Sequence, residues 1–408
     1  MAYAAIRLAG TDHLSPISSL FILIMETPAM HARYTPWWMP TALVALLLVS
    51  IALASLLVIE RGGAGTNYAP AATNSGATST EIFTWDLVTS WPKNFPGLGL
   101  APENFAAIVQ EMSNGRLVVN VHGANTIVPP LGVFDAVSSG SVEMGHSGAY
   151  YWKGKIPAAP FFTSVPFGMN SVEYNSWLHY GGGLELWREI YAPFGIIPFA
   201  GGNTGVQMGG WFNVEINSIE DIKGLKMRIP GLGGEVFTRS GGTAVNIPGA
   251  ELYSALQTGV IDATEWVGPY NDLAIGFHQI AEYYYYPGWH EPGPGLEFIV
   301  NAQAFARLPL DLQKIVEVAT RAINQDMLDE YQARSSSALL ELRETYNVDI
   351  RPFPKEVMAH FRKNALSIYE EQAEADASFK KVSDHYFDYL ARARGYSEIS
   401  DKAYFDLR

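Results

Sequence analysis

A twelve-residue pattern occurs twice in this chain and restricts its possible folds more than any other feature. Ala136-Val-Ser-Ser-Gly-Ser-Val-Glu-Met-Gly-His-Ser147 and Ala255-Leu-Gln-Thr-Gly-Val-Ile-Asp-Ala-Thr-Glu-Trp266 share one order: helix end, glycine, acidic strand, polar strand end. A glycine that stops a helix and feeds a strand is the joint of an α/β unit. The flanking periodicity agrees. Phe83, Trp85 and Leu87 alternate with their neighbours as a strand, and Phe105, Ile108, Val109 and Met112 recur at helical spacing after Pro102-Glu103. Leu117, Val119 and Val121 return to period two, before a short helix over Leu131–Val137 and a third strand over Val142–Met144. Later, Ser218-Ile-Glu220 starts a helical turn that Gly224 stops, and Leu225, Met227 and Ile229 form a strand. A helix over Glu251–Thr258 and a strand over Val260–Ala263 follow. The expectation is one unit built twice, in two α/β lobes with mostly parallel sheets. From Pro309 onward the pattern is helical, and the charges between Glu370 and Lys381 read as a solvated helix face.

Length and composition bound what such a fold can do. With 408 residues, 48% of them hydrophobic, the chain has enough apolar material for two or three domains. A formal net charge of −14 without a basic stripe argues against nucleic acid as a partner. The absence of cysteine excludes disulfides and thiolate metal sites.

Near the N-terminus, Thr41–Ile59 is uncharged and rich in Leu, Val and Ala, preceded by Arg33 and Trp37-Trp38. Such a run is long enough to cross a hydrocarbon core of roughly 30 Å as a helix. It also reads as a signal peptide cleaved at Ala52-Leu53-Ala54. Residues Gly62–Thr80 then form a flexible tether, and Met30 and Met39 are alternative starts. Both readings export everything from Glu81 onward, either released or anchored.

Open α/β sheets bind ligands beyond the carboxyl ends of their strands. Arg228 ends a strand there, on the face opposite Met227 and Ile229, and Glu265 follows another. A guanidinium can fork onto a carboxylate with two hydrogen bonds. A nearby carboxylate repels an anionic ligand unless a cation lies between, so Glu265 suits a hard cation, with Gln207 and a backbone carbonyl supplying neutral oxygens. Each residue alone is as readily a surface ion pair. Gly231-Leu-Gly-Gly234 lacks the G-x-G-x-x-G spacing and reads as a turn into a helix; no H-E-x-x-H or G-x-S-x-G is present. His290-Glu291 sits in a Pro/Gly-rich loop, where site and packing roles are equally open. Tyr150 and Tyr151 are candidates to wall a pocket.

Five segments carry a family resemblance. Val128-Pro-Pro-Leu-Gly-Val-Phe-Asp-Ala-Val137, Gly145-His-Ser-Gly-Ala-Tyr-Tyr-Trp152, Gly205-Val-Gln-Met-Gly-Gly-Trp211, Gly224-Leu-Lys-Met-Arg-Ile-Pro-Gly231 and Asp262-Ala-Thr-Glu-Trp-Val-Gly268 closely resemble the receptors of TRAP transporters, the DctP-like family. The α-keto acid, TakP-like branch is the most similar, from about Phe83 to the C-terminal helices. The resemblance implies a two-lobed, type II-like periplasmic binding protein with a central cleft and long C-terminal helices. Residues 1–80 are the export or anchor segment and tether, where the chain departs from the family's usual short signal peptide; the implied first lobe is 81–203 plus about 293–335, and the second 204–292 plus about 336–408. Arg228 would grip the carboxylate of a small 2-oxo acid of pyruvate or 2-oxobutyrate size. Gln207, Glu265 and the backbone carbonyl of Trp266 would hold a cation, with Glu291 as a neighbour; sodium is expected and calcium is the alternative. Tyr150 and Tyr151 would contact the acid. The implied partners are the TRAP membrane subunits and a homodimeric second copy, in the periplasm. The competing readings are an exported hydrolase or lyase with Glu265 and Glu291 as its acid/base pair, and a sensory receptor subunit.

Overall fold

The computed structural model describes residues 81–408; the run Thr41–Ile59, the Ala52-Leu53-Ala54 site and the tether lie outside the described residues. Among the described residues, no helix is long and apolar enough to cross a membrane.

The first α/β unit forms as its periodicity dictates. Strand β1 (Phe83–Thr89), helix α1 (Leu100–Met112), β2 (Leu117–His122), helix α2 (Val133–Ser138) and β3 (Met144–Ser147) follow in order. The alternating Trp85 and Leu87 are buried, as are Phe105 and Val109 on the helix. Helices α3 (Ser171–Tyr180) and α4 (Gly183–Tyr191) then lead into β4 (Ile196–Asn203). Asn170 starts α3 with a capping box: its Oδ1 accepts from Glu173 N at 3.0 Å and Glu173 Oε2 accepts from Asn170 N at 2.9 Å. Phe162 lies between the indoles of Trp177 and Trp187, 5.8 and 5.1 Å from their centres, and fixes the centre of this core.

The second unit contains β5 (Gly210–Phe212), β6 (Lys226–Arg228), α5 (Gly231–Arg239), β7 (Thr243–Val245), α6 (Leu252–Gln257), β8 (Ala263–Thr264), α7 (Pro269–Ile275) and β9 (Tyr283–Tyr286). The chain returns to the first sheet as β10 (Gly295–Asn301), then runs through α8 (Ala302–Arg307) and the long α9 (Leu310–Glu344). Last come β11 (Asp349–Pro352), α10 (Lys355–Ala375), α11 (Ala377–Ile399) and α12 (Asp401–Phe405).

Two sheets result, ordered β2-β1-β3-β10-β4 and β11-β9-β5-β8-β6-β7. Both are mostly parallel, as expected, each with one reversed strand. β1, β2 and β3 are parallel, but β10 runs antiparallel to both β3 and β4, and β5 runs antiparallel to β8 and β9. The cause is the return path, because a chain crossing back between lobes enters the next sheet from the opposite end. Two strand positions also shift. The strand expected over Val142–Met144 is β3, and that expected over Val260–Ala263 is β8. Val260 is 59% exposed, and pairing with β6 begins only at Ala263 opposite Met227.

Helix α9 packs on β4 and α1 of the first sheet and on α7 beside the second. α10 packs on α5, whereas α11 lies on the first-sheet side, with Phe379 against Phe161 and Tyr386 against Trp177. The charged run from Glu370 to Lys381 breaks at Asp376, whose Oδ1 accepts from Phe379 N at 2.7 Å and caps α11.

Candidate solute- and cation-binding site

The site begins with register. Arg228 of β6 lies opposite Thr264 of β8 in parallel pairing, so Glu265 emerges beside it at neighbouring carboxyl ends. Arg228 Nη1 donates to Glu265 Oε1, and both side chains are 1% exposed. Arg228 Nε donates to Ile247 O at 3.2 Å, Nη1 also reaches Glu265 O at 3.4 Å, and Nη2 donates to Tyr151 Oη at 3.1 Å. Its carbon centre lies 5.2 Å from the Trp266 ring. Burial, the largest influence, disfavours the guanidinium's charge, but Glu265, Tyr151, Tyr150 and Glu291 together outweigh it and the group stays protonated. Nε, Nη1 and Nη2 thus each donate to a protein oxygen.

Two crossing segments bring the rest. Gly288 N donates to Gln207 O at 2.8 Å, and Gln207 N donates to Glu291 O at 3.2 Å, so residues 205–209 and 287–291 run together between the sheets. A Cβ on Gly288 would sit 2.5 Å from Gln207 O, which only glycine avoids. Glu265 Oε2 lies 3.4 Å from His290 Nε2, and ligand atoms of Glu265, His290 and Glu291 all fall within 4.8 Å of one another. Gln207 Nε2 donates to Thr204 Oγ1 at 3.2 Å, while Gln207 Oε1 is buried without a partner. Burial first, and the Glu265 charge second, push the Glu291 carboxyl well above the usual carboxylate range. An unsatisfied amide oxygen beside two buried carboxylates is an arrangement a hard cation would satisfy. The residues present fit such an ion.

Gln207, Glu291, Tyr150, Trp266, Thr204 and Trp91 line a small hollow together with Leu98, Val267, Pro294 and Leu296. Its volume is about 10 Å³, room for one water molecule or a bare cation. Of the residues named from the sequence, Tyr150, Gln207, Trp266 and Glu291 line this hollow, while Arg228 pairs with Glu265 and bonds Tyr151.

Sequence reasoning missed Trp91 and Thr204. Trp91 follows β1, whose carboxyl end obeys the same rule that singled out Arg228, so the signal was present. Its indole donates to His146 Nδ1 at 2.9 Å, and His146 Nε2 donates to Gly201 O at 2.8 Å. Burial lowers the His146 pKa to about 4, keeping the ring neutral. Asp272 was missed too. Its Oδ1 accepts from Val267 N and Gly268 N, both at 3.2 Å, which pins the loop carrying Glu265 and Trp266.

Comparison with known proteins adds the family. Residues 87–376 match the family described as bacterial extracellular solute-binding protein, family 7 (DctP). The chain belongs to that family. The receptor is 45% identical, over 78% of its length and 87% of the relative's, to a monocarboxylate 2-oxoacid-binding periplasmic protein of Nostoc sp.. A TRAP periplasmic solute-binding protein of Colwellia psychrerythraea with bound calcium and pyruvate is 48% identical, with a TM-score of 0.79 over 80% of this chain and 100% of that one. One from Pseudoalteromonas atlantica with sodium and pyruvate is 47% identical, with a TM-score of 0.78 over 80% and 99%. The two-lobed α/β architecture is therefore that of a TRAP solute receptor, and the protein acts outside the cytoplasm. Membership places it among binding proteins rather than enzymes, and the hydrolase, lyase and sensory readings are set aside.

Proposed function

We propose that this receptor captures a small monocarboxylic 2-oxo acid together with a hard cation, sodium or calcium, and delivers it to TRAP membrane subunits. The observation that carries this reading is the unsatisfied Gln207 oxygen beside buried Glu291, whose neighbour Glu265 is paired with Arg228. The Nη2 edge of Arg228 and the Tyr151 hydroxyl hold the acid's carboxylate, and Tyr150 contacts its body. Gln207, Glu265, Glu291 and the Trp266 carbonyl hold the cation. A cation that bridges a carboxylate oxygen and the adjacent 2-oxo oxygen favours 2-oxo acids over simple carboxylates. The pyruvate-bound relatives support this choice of ligand.

The lobes we infer are 81–203 with 293–335, and 204–292 with 336–408, the last crossing back through α11. Contacts from both sides favour a closed state when acid is bound. Thr41–Ile59 either anchors the receptor to the membrane or is removed on export.

Calorimetric titration with pyruvate in sodium, in calcium, and in choline buffer with chelator tests the reading. Tight binding is expected only when one of the cations is present. Equal affinity without either would overturn the bridge, and no heat under any condition would overturn the ligand class.

A further inference from the structure

We propose that Tyr150 sets the upper limit on the carbon-chain length of the acid this receptor accepts. The inference rests on the 2-oxo acid reading and adds a residue that decides among such acids. Two hollows meet at this side chain. One is the small hollow of about 10 Å³ beside Gln207 and Glu291, and the other an open groove of about 570 Å³ between the Ala149–Trp152 turn and α5 and β7. Tyr150 belongs to both linings.

An acid held by its charged end near Glu291 and Gln207 must direct its alkyl end against the walls of this small hollow. Leu98, Val267 and Leu296 are 2%, 6% and 4% exposed, so core packing lies behind them. Tyr150 has open space behind it instead. Beyond it the groove begins with Ile229, Pro230, Ala244 and Val245, apolar surface that a longer chain would cover.

The tyrosine is a fixed wall. Its ring meets that of Tyr151 edge-on at 4.6 Å, and Tyr151 is itself bonded to Arg228. Glycines flank it on both sides: a Cβ on Gly148 would come within 3.3 Å of the ring, and one on Gly231, at φ +64, within 3.2 Å of Tyr150 Cβ. Both approaches are tight, so the ring fills its slot.

The test measures Kd by calorimetry for straight-chain 2-oxo acids from pyruvate to 2-oxooctanoate, with the cation present, for wild type, Tyr150→Ala and Tyr150→Phe. Wild type should lose affinity steeply once the chain outgrows the cavity. Tyr150→Ala should bind 2-oxooctanoate at least tenfold more tightly than wild type, gaining up to roughly fourfold per methylene that enters the groove. Tyr150→Phe keeps the bulk and should keep the wild-type cut-off, whatever affinity the hydroxyl supplies. If Tyr150→Ala does not fold, Tyr150→Leu carries the same comparison. An unchanged cut-off in the smaller variant, or one lost equally in Tyr150→Phe, overturns the wall. Failure of wild type to bind any 2-oxo acid with either cation instead overturns the reading beneath it.

Discussion

Arg228 and Glu265 form an ion pair at the ends of adjacent parallel strands, with both side chains almost wholly removed from solvent. Removing one partner leaves a buried charge without its counter-charge. Arg228→Ala should therefore abolish acid binding and also cost about 3–5 kcal/mol of stability. The double variant Arg228→Met with Glu265→Gln should recover most of the stability but none of the binding. Urea denaturation of both variants and wild type checks this; equal stability of the two would contradict the coupling.

Glu291 holds its proton above the usual carboxylate range, chiefly through burial and then through the charge of Glu265. A cation needs the ionised form, so proton and cation compete. Cation affinity should rise with pH, by up to about tenfold per unit, until the elevated pKa is passed. Glu291→Gln should flatten the slope and weaken binding. Calorimetry in buffers of different ionisation enthalpy will show proton release on cation binding in wild type alone.

Away from the cleft, Glu297 accepts from Trp152 Nε1 and from Tyr191 Oη, the latter at 3.0 Å, in the first core. Burial, opposed by these two bonds, raises its pKa from 4.5 to about 7. A raised folded-state pKa makes the contribution to stability complete below the unfolded value and lost as pH rises through the folded one. Between about pH 4.5 and 7 the term amounts to about 3 kcal/mol (2.5 units at about 1.4 each). Glu297→Gln should remove it. Stability of variant and wild type, compared by denaturant titration at pH 5 and pH 8, should diverge by an amount of this order.

Gly288→Ala places a Cβ against Gln207 O, where the two crossing segments touch. The variant should lower Tm and weaken acid binding at least tenfold, because moving residue 207 moves an oxygen assigned to the cation. Unchanged affinity would show that the crossing does not position the site.

Arg228 and Glu265 were legible because the strand-end rule needs only local periodicity, and the two α/β units announced themselves by repetition. Gln207, Tyr150 and Tyr151 were candidates from chemistry alone, and the resemblance gave them their roles. Trp91 escaped notice because a partner over fifty residues away, His146, orients its ring. The antiparallel direction of β10 was equally hidden, as strand polarity depends on the path between lobes and leaves no trace in side-chain alternation.

The sequence alone determined which elements form and which functional groups end them, because hydrophobic period, helix stops and strand ends are short-range properties. Tertiary structure decided how those groups are used. It paired Arg228 with Glu265, brought Glu291 in from a distant loop, and left Gln207 Oε1 buried and unsatisfied. The physical reason is that charge, protonation and unmet hydrogen-bonding capacity depend on exclusion of water, and only the assembled lobes exclude it.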